Sequence, residues 1–490
     1  MRAMTSMLSK RSPSPPRGEG RGEGVPFAGR SSPRVPLTRT LSPGGRGAWT
    51  LLAAALALNL LVGPAHAIDI KKVVSPGGIE AWLVEDHKVP VLAVEWAFEG
   101  AGANDPAGKE GLANLAAHAL DEGAGPYDSQ AFQTRLQDSA VSLSFNAGRD
   151  AFTGSLRTLT EHRDEAFDLA RLAMSEPRFD AEAVERMRAG TLAGLKREQG
   201  DPNYVARRLF YSTAYPDHPY GGEVRGSLDS LPRIAPDDLR AFVKSQFGRD
   251  RLVVTAAGDI APDDLGRALD RLFGGLPATA SVTALPEVTP KGLGETLLAP
   301  RPTAQTVILM GQPGVKRADP DWYAATVMNY VLGGSGFGSR LMEEVREKRG
   351  LSYGVYSYLV PMDRTALVIA GGSTVNAKAG QALEIMRAEW ARMAADGVSD
   401  QELADAKTYL TGSFPLQLGS TPSIAKTLLQ VRRDRLGIDY LDQRDRFINA
   451  VTADDVRRVA KRLLDPARLL TVLVGRPDGV TPTRTIEDIR

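Results

Sequence analysis

Residues 332–358 contain one clear change of hydrophobic period. Leu341, Met342 and Val345 recur at the spacing of one helical face, which predicts a helix starting at Arg340. Glu344 and Lys348 stand four apart, as an ion pair on a helix surface requires, and Arg346, Lys348 and Arg349 crowd its last turn. Cations there suit the negative end of the helix dipole, and Gly350 supplies a C-terminal cap. Ahead of the helix, Gly333, Gly334, Gly336 and Gly338 predict a tight loop. Behind it, Leu351, Tyr353, Val355 and Tyr356 read as a strand, so Arg346 and Tyr353 flank one helix-to-strand turn. Elsewhere, 89–98 alternates as a strand does and 161–174 has helical spacing.

The pattern also repeats. IAPDDLR from Ile234, Lys244 and RLVVTAAGD from Arg251 return as VTADDVR from Val451, Lys461 and RLLTVLVGR from Arg468, with an offset of 217 residues throughout. A capped helix leading into a buried strand therefore closes each of two similar halves. FDAEAVERMRAGTLAGL from Phe179 and VSDQELADAKTYLTGSF from Val398 give a second echo at an offset of 219, each reading as a capped helix. Between the halves, 276–303 is rich in small residues and proline (Pro277, Pro286, Pro290, Pro300, Pro302) and reads as the linker. The expected fold is α+β: two homologous sandwich domains, 68–275 and 304–490, each with a largely antiparallel sheet and helices packed on one face.

Composition changes the start of this picture. Residues 1–47 hold nine Lys or Arg against two Glu among many Pro and Gly, and read as a low-complexity basic leader that buries no core. Arg46 followed by AWTLLAAALALNLLVGPAHA has the basic, apolar and small-residue parts of a signal peptide over 48–67. The expectation is export to the periplasm, with no stable membrane insertion after cleavage, since no basic stop signal follows the short apolar core. Without those residues the formal charge falls from +1 to about −6, which removes the electrostatic basis for binding nucleic acid. The sequence has no cysteine, hence neither disulfides nor thiolate metal ligands. The remaining length suits two domains rather than one core.

The arginine and tyrosine of REKRGLSY, together with the glycine loop and the SRLMEEVREKRG helix before them, resemble a motif of the insulinase/pitrilysin-type zinc peptidases. That family includes the mitochondrial processing peptidases. There, the pair in the second half binds the substrate carbonyl and the developing oxyanion at a zinc site supplied by a different domain. The resemblance implies that role for Arg346 and Tyr353, and a guanidinium and a phenol are suitable donors where negative charge appears. Read from the residues alone, the same stretch is also a solvated charged helix followed by a core tyrosine.

Active members of the family carry His-x-x-Glu-His on a helix that follows a strand and a loop. The two histidines bind zinc and the glutamate is the general base. The corresponding stretch here is GKEGLANLAAHAL from Gly108, and the three positions read Asn114, Ala117 and His118. The family's third ligand, a glutamate on a later helix, falls at Gly194, with Glu198 one turn further on. Zinc needs about three protein ligands, and amide hydrolysis needs a group to take the proton of water. Ala117 can do neither, Asn114 is a poor neutral ligand, and His118 alone reads as an ordinary helix histidine. His66, His87, His162 and His218 form no ligand-spaced pair, so no catalytic metal is expected in this chain. Three other patterns lack their context. Gly350 to Gly354 fits a nucleophile elbow but lies between a helix and a strand, Ser423-Ile-Ala-Lys426 has no recognisable partners, and no Gly-Lys-Ser/Thr follows the glycine loop.

The resemblance implies a division of labour. The chain resembles the zinc-free member of a heterodimeric periplasmic metalloendopeptidase, inactive alone, with zinc held by a homologous partner subunit and no cofactor of its own. The four homologous domains of such a pair enclose a chamber for extended peptides. VSLSFNA at 141–147 aligns with the family's substrate-binding edge strand, which implies strand addition of a peptide along Ser144, Phe145, Asn146 and Ala147. By its pattern alone it is equally an ordinary alternating strand. The alternative function is a non-enzymatic peptide-binding or scaffold protein with a vestigial site. A self-sufficient protease would need a metal site that the sequence does not offer.

Overall fold

The computed structural model describes residues 68–334 and 336–487; the leader and signal peptide expected over 1–67 lie outside the described residues. Two six-stranded sheets organise the chain. The first comprises β1 (Lys71–Val74), β2 (Glu80–Glu85), β3 (Val91–Glu99), β4 (Ser142–Ala147), β5 (Ala151–Leu159) and β6 (Leu252–Gly258), in the order β1-β2-β6-β3-β5-β4. The second comprises β7 (Thr296–Pro300), β8 (Gln305–Pro313), β9 (Val355–Pro361), β10 (Ala366–Val375), β11 (Leu470–Gly475) and β12 (Arg484–Thr485), in the order β12-β7-β11-β8-β10-β9.

The repeat read from the sequence is a repeat of topology. In the first sheet β2 runs parallel to β6, and β6, β3, β5 and β4 are then joined by antiparallel ladders. In the second, β7 runs parallel to β11, and β11, β8, β10 and β9 follow antiparallel. Only the outermost strands differ, β1 being antiparallel to β2 and β12 parallel to β7. The stretch 276–303, read as a linker, therefore ends inside the second sheet. Its prolines mask the apolar run Thr296-Leu-Leu-Ala, whose Leu297 and Ala299 are fully buried.

The matched helices, Pro236–Gln246 and Ala453–Leu463, start as expected. Asp238 accepts the Ala235 N–H (2.8 Å), and Asp455 and Thr452 close a reciprocal capping box. Of the second matched pair, Asp400–Gly412 is capped by Ser399, whereas Ala181–Glu198 has no side-chain cap because Asp180 pairs with Arg178 (2.7 Å) instead.

Each sheet buries one face under helices of its own half. In the first, Trp96, Phe98 and Phe152 pack with Leu115, Phe167, Phe242 and Leu269, from helices Leu112–Ala119, Arg163–Ser175, Pro236–Gln246 and Pro262–Phe273. In the second, Ile308, Met310 and Val368 pack with Val327, Trp390 and Val459, from helices Trp322–Asn329, Ala379–Asp396 and Ala453–Leu463.

The opposite faces are covered by exchange, which the sequence did not announce. Helix Thr421–Arg433 of the second half lays Ala425, Leu428 and Val431 on Trp82, Val84, Ala93 and Ala257 of the first sheet. Thr255 Oγ1 donates to the Ala425 carbonyl (2.8 Å), and Arg432 donates to the Val254 carbonyl (2.7 Å) and pairs with Glu80 (2.9 Å). In return, helix Pro202–Ala214 of the first half lays Val205, Leu209 and Phe210 on Val307, Leu309, Leu367, Ile369 and Val472 of the second sheet. The two helices start 219 residues apart, the same offset as the second echo. The described residues accordingly fall in one compact unit. No helix among the described residues is long and apolar enough to cross a membrane.

Candidate functional site

The segment from Arg340 is helical, as its spacing predicts, but widely wound. Met342–Glu347 forms a π-helical turn, and Lys348 N–H donates to the Glu343 carbonyl five residues back (2.9 Å). Glu344 accepts from Lys348 (2.7 Å) and Arg349 (2.6 Å), and these cations hold its carboxyl below the usual range. The segment ends at Gly350, whose φ of +59° few other residues tolerate. Gly350 N–H donates to the Arg346 carbonyl (2.8 Å), the bond of an αL cap, and Leu351 N–H reaches the Val345 carbonyl (2.9 Å), one residue further back than in a Schellman cap, as the wide winding requires; Leu351 is buried.

The chain does not then enter a strand at Leu351, as its pattern suggested; β9 begins at Val355. Ser352 Oγ donates to the Ser373 carbonyl of β10 (2.6 Å) and accepts Gly354 N–H (3.2 Å), while Thr374 Oγ1 donates to the Leu351 carbonyl (2.5 Å). These side-chain bonds replace a ladder and fix a bend instead. They also account for Ser352, which sits in a pinned turn and not in a nucleophile elbow. Tyr353, at the apex, is 88% exposed and contributes nothing to the core. Arg346 lies at the other end of the turn, about one-third exposed, with Nε 3.4 Å from Glu347 Oε1.

A second arginine anchors the start of this segment. Arg340 is largely buried and bonds both carboxylate oxygens of Glu402, through Nε (2.6 Å) and Nη2 (2.7 Å), while Nη2 also reaches the Gly397 carbonyl (2.8 Å). Glu402 accepts Ser399 N–H (2.8 Å) at the start of helix Asp400–Gly412. Burial pushes the Glu402 carboxyl up, but the Arg340 and Ser399 donors outweigh it and bring the group down to about 2. Sequence reading missed this pair. The partners are 62 residues apart, and only the capping pattern Ser-x-x-Glu at 399–402 marked one of them.

The zinc-motif positions present a different chemistry. Helix Leu112–Ala119 is seated by Asp105, which accepts Gly111 N–H (2.8 Å) and Ala113 N–H (3.0 Å); burial pushes the Asp105 carboxyl up to about 7. Asn114 is 6% exposed, and its Oδ1 is buried with no hydrogen-bond partner among the described residues. Ala117 is buried, while His118 opens to solvent, with desolvation by the protein around it lowering its pKa. At Gly194 on helix Ala181–Glu198 a Cβ would meet nothing within 4 Å. Glu198 does not stand in for it, because its carboxylate is paired with Arg225 (Nη1 to Oε1, 2.9 Å). Among the described residues no group of three or more His, Asp or Glu is arranged to hold a metal ion. These residues do not fit a catalytic zinc, and the chain is compatible with a zinc-free role.

Strand β4 stands at the open end of the first sheet, paired only with β5 among the described residues. Ser144 and Asn146 face solvent, whereas Phe145 and Ala147 are buried, Phe145 packing edge-on to Trp96 at 6.0 Å between ring centroids. Of the four positions, then, two offer side chains outward, and all four have backbone groups on an edge strand.

Comparison with known proteins gives a consistent result. Residues 233–410 match the family described as the peptidase M16 inactive domain. A protein of Helicobacter pylori named non-peptidase homolog YmxG is 29% identical over 335 residues, covering 68% of this chain and 77% of that protein. An uncharacterized zinc protease of Bacillus subtilis, also named YmxG, is 27% identical over 331 residues, covering 67% and 78% respectively. Among solved structures, a peptidase M16 inactive domain from Pseudomonas fluorescens superposes with a TM-score of 0.79 at 27% identity, covering 84% of this chain and 99% of that one. A protease from Helicobacter pylori shares the fold, with a TM-score of 0.75 at 18% identity over 83% of this chain and all of that one. The two-sheet fold, the incomplete zinc motif and these relatives together identify the chain as a peptidase M16-like homologue, similar to the inactive members of that family.

Proposed function

We propose that this chain is the zinc-free subunit of a heterodimeric periplasmic metalloendopeptidase. In this reading it binds extended peptides and supplies Arg346 and Tyr353 to the zinc site of a homologous partner subunit. The observation that carries the proposal is the contrast between the two half-sites. Tyr353 is 88% exposed at the apex of a turn pinned by Ser352 and Thr374, while Asn114 and Ala117 are closed inside their helix. A phenol held outward on a fixed turn is suited to an oxyanion that forms elsewhere, because its position needs no reorganisation when charge develops. The guanidinium of Arg346 would bind the substrate carbonyl beside it. The unpaired side of β4, with Ser144 and Asn146 outward, suits an added peptide strand held by backbone hydrogen bonds.

The test uses the chain mixed with a zinc-bearing relative from the same source. Arg346→Ala and Tyr353→Phe should each lower kcat for peptide hydrolysis by about 10²-fold, within the range for loss of one oxyanion donor, while assembly and zinc content are unchanged. Wild-type rates in both variants would rule out the assigned roles. No activity gained on mixing the native chains would favour a peptide-binding scaffold instead.

A further inference from the structure

We infer that Arg340 is a positioning residue for the turn that carries Arg346 and Tyr353; the inference rests on the function proposed above for those two residues. The turn is held from both ends. Its far end is fixed by the Gly350 cap and by Ser352 and Thr374 against β10. Its near end follows the glycine stretch, which is wound as a π-helical segment at Tyr330–Gly334 and a 3-10 turn at Gly336–Gly338 and not as the open loop expected, with Gly336 at a φ of +61°. There the join is made by a side chain. The Arg340 guanidinium engages Glu402 with two parallel bonds and Gly397 with a third, and a planar fork bonded this way fixes orientation as well as distance.

The receptor for that fork is itself rigid. Glu402 and Ser399 cap one another at the start of helix Asp400–Gly412, so Arg340 ties the segment to a preformed helix terminus. The same helix grips the chain before the glycines, because Tyr409 packs against Tyr330 with ring centroids 5.1 Å apart. The glycine stretch thus lies between two attachments to one helix. Arg340 points into the interior, with a side-chain exposure of 10%, so it acts through the turn and not on substrate. Lysine cannot replace it fully, since a single ammonium cannot make the bidentate contact.

The experiment compares the native chain with Arg340→Gln and with Arg340→Lys, the second serving as the folded variant should glutamine leave Glu402 too poorly paired. Amide hydrogen exchange on the chain should quicken about tenfold or more over 345–354 and stay native in the Pro236–Gln246 helix. In the mixture with the zinc-bearing subunit, kcat should fall about tenfold with KM little changed, since misplacement by a fraction of an ångström is enough for that. In an Arg346→Ala/Tyr353→Phe background the same substitution should produce no further fall. Unchanged exchange over 345–354, or a fall in kcat that persists in that background, would overturn the positioning role. Should Arg346→Ala/Tyr353→Phe itself run at the wild-type rate, the proposed function fails, and hydrogen exchange alone decides whether Arg340 holds the turn.

Discussion

At the scale of single residues, this chain differs from a zinc enzyme through what its side chains can bond. Asn114 occupies a ligand position but is buried with Oδ1 unpartnered among the described residues, so it carries a desolvation cost. Asn114→Leu, which keeps the branched shape but removes the amide, should therefore raise stability by about 1–2 kcal/mol in urea unfolding. A loss of stability would mean that the amide is bonded in solution. Substitutions of this kind are legible in a sequence, because Asn and Ala at 114 and 117 sit at fixed spacing from His118. Arg346 and Tyr353 could be named for the same reason, being local to one turn. Arg340 and Glu402 could not, since their contact depends on how two segments 62 residues apart are docked.

At the scale of elements, the period of the apolar residues settled the kind of structure more firmly than its detail. Leu341, Met342 and Val345 are compatible with either α or π winding over six residues, so the wide turn was invisible in the pattern. Tyr353 fell on the apolar side of an apparent alternation, yet side-chain bonds from Ser352 and Thr374 hold it in a bend. The exchanged helices were also unmarked, because an amphipathic stripe does not say which sheet it covers. Their contribution can be measured. Leu428 is fully buried between helix Thr421–Arg433 and the first sheet, and Leu428→Ala should cost about 2–5 kcal/mol, with unfolding still in one step. A second, earlier transition confined to the second half would show that the helix belongs energetically to its own half.

At the scale of the whole molecule, two homologous halves do not make two independent domains. The first sheet lacks a cover for one face until Thr421–Arg433 arrives, and the second until Pro202–Ala214 does. A chain cut between residues 276 and 295 should thus give two fragments that are each poorly structured alone. Mixed, they should regain native circular dichroism with a midpoint that depends on concentration, as for an obligate pair. Native folding of either fragment by itself would contradict the reciprocal cover.

The exchange of helices is also balanced. Each half gives one helix and receives one, at matching positions in the repeat. In the language of assemblies this is a closed, two-fold swap carried out within one polypeptide, in which, among the described residues, each of the two exchanged helices fills the other half's open sheet face. An unbalanced swap would leave a sticky end on every molecule and could propagate from copy to copy into fibres. Here the stretch between the halves keeps donor and acceptor at high effective concentration, so the swap closes on itself and stops.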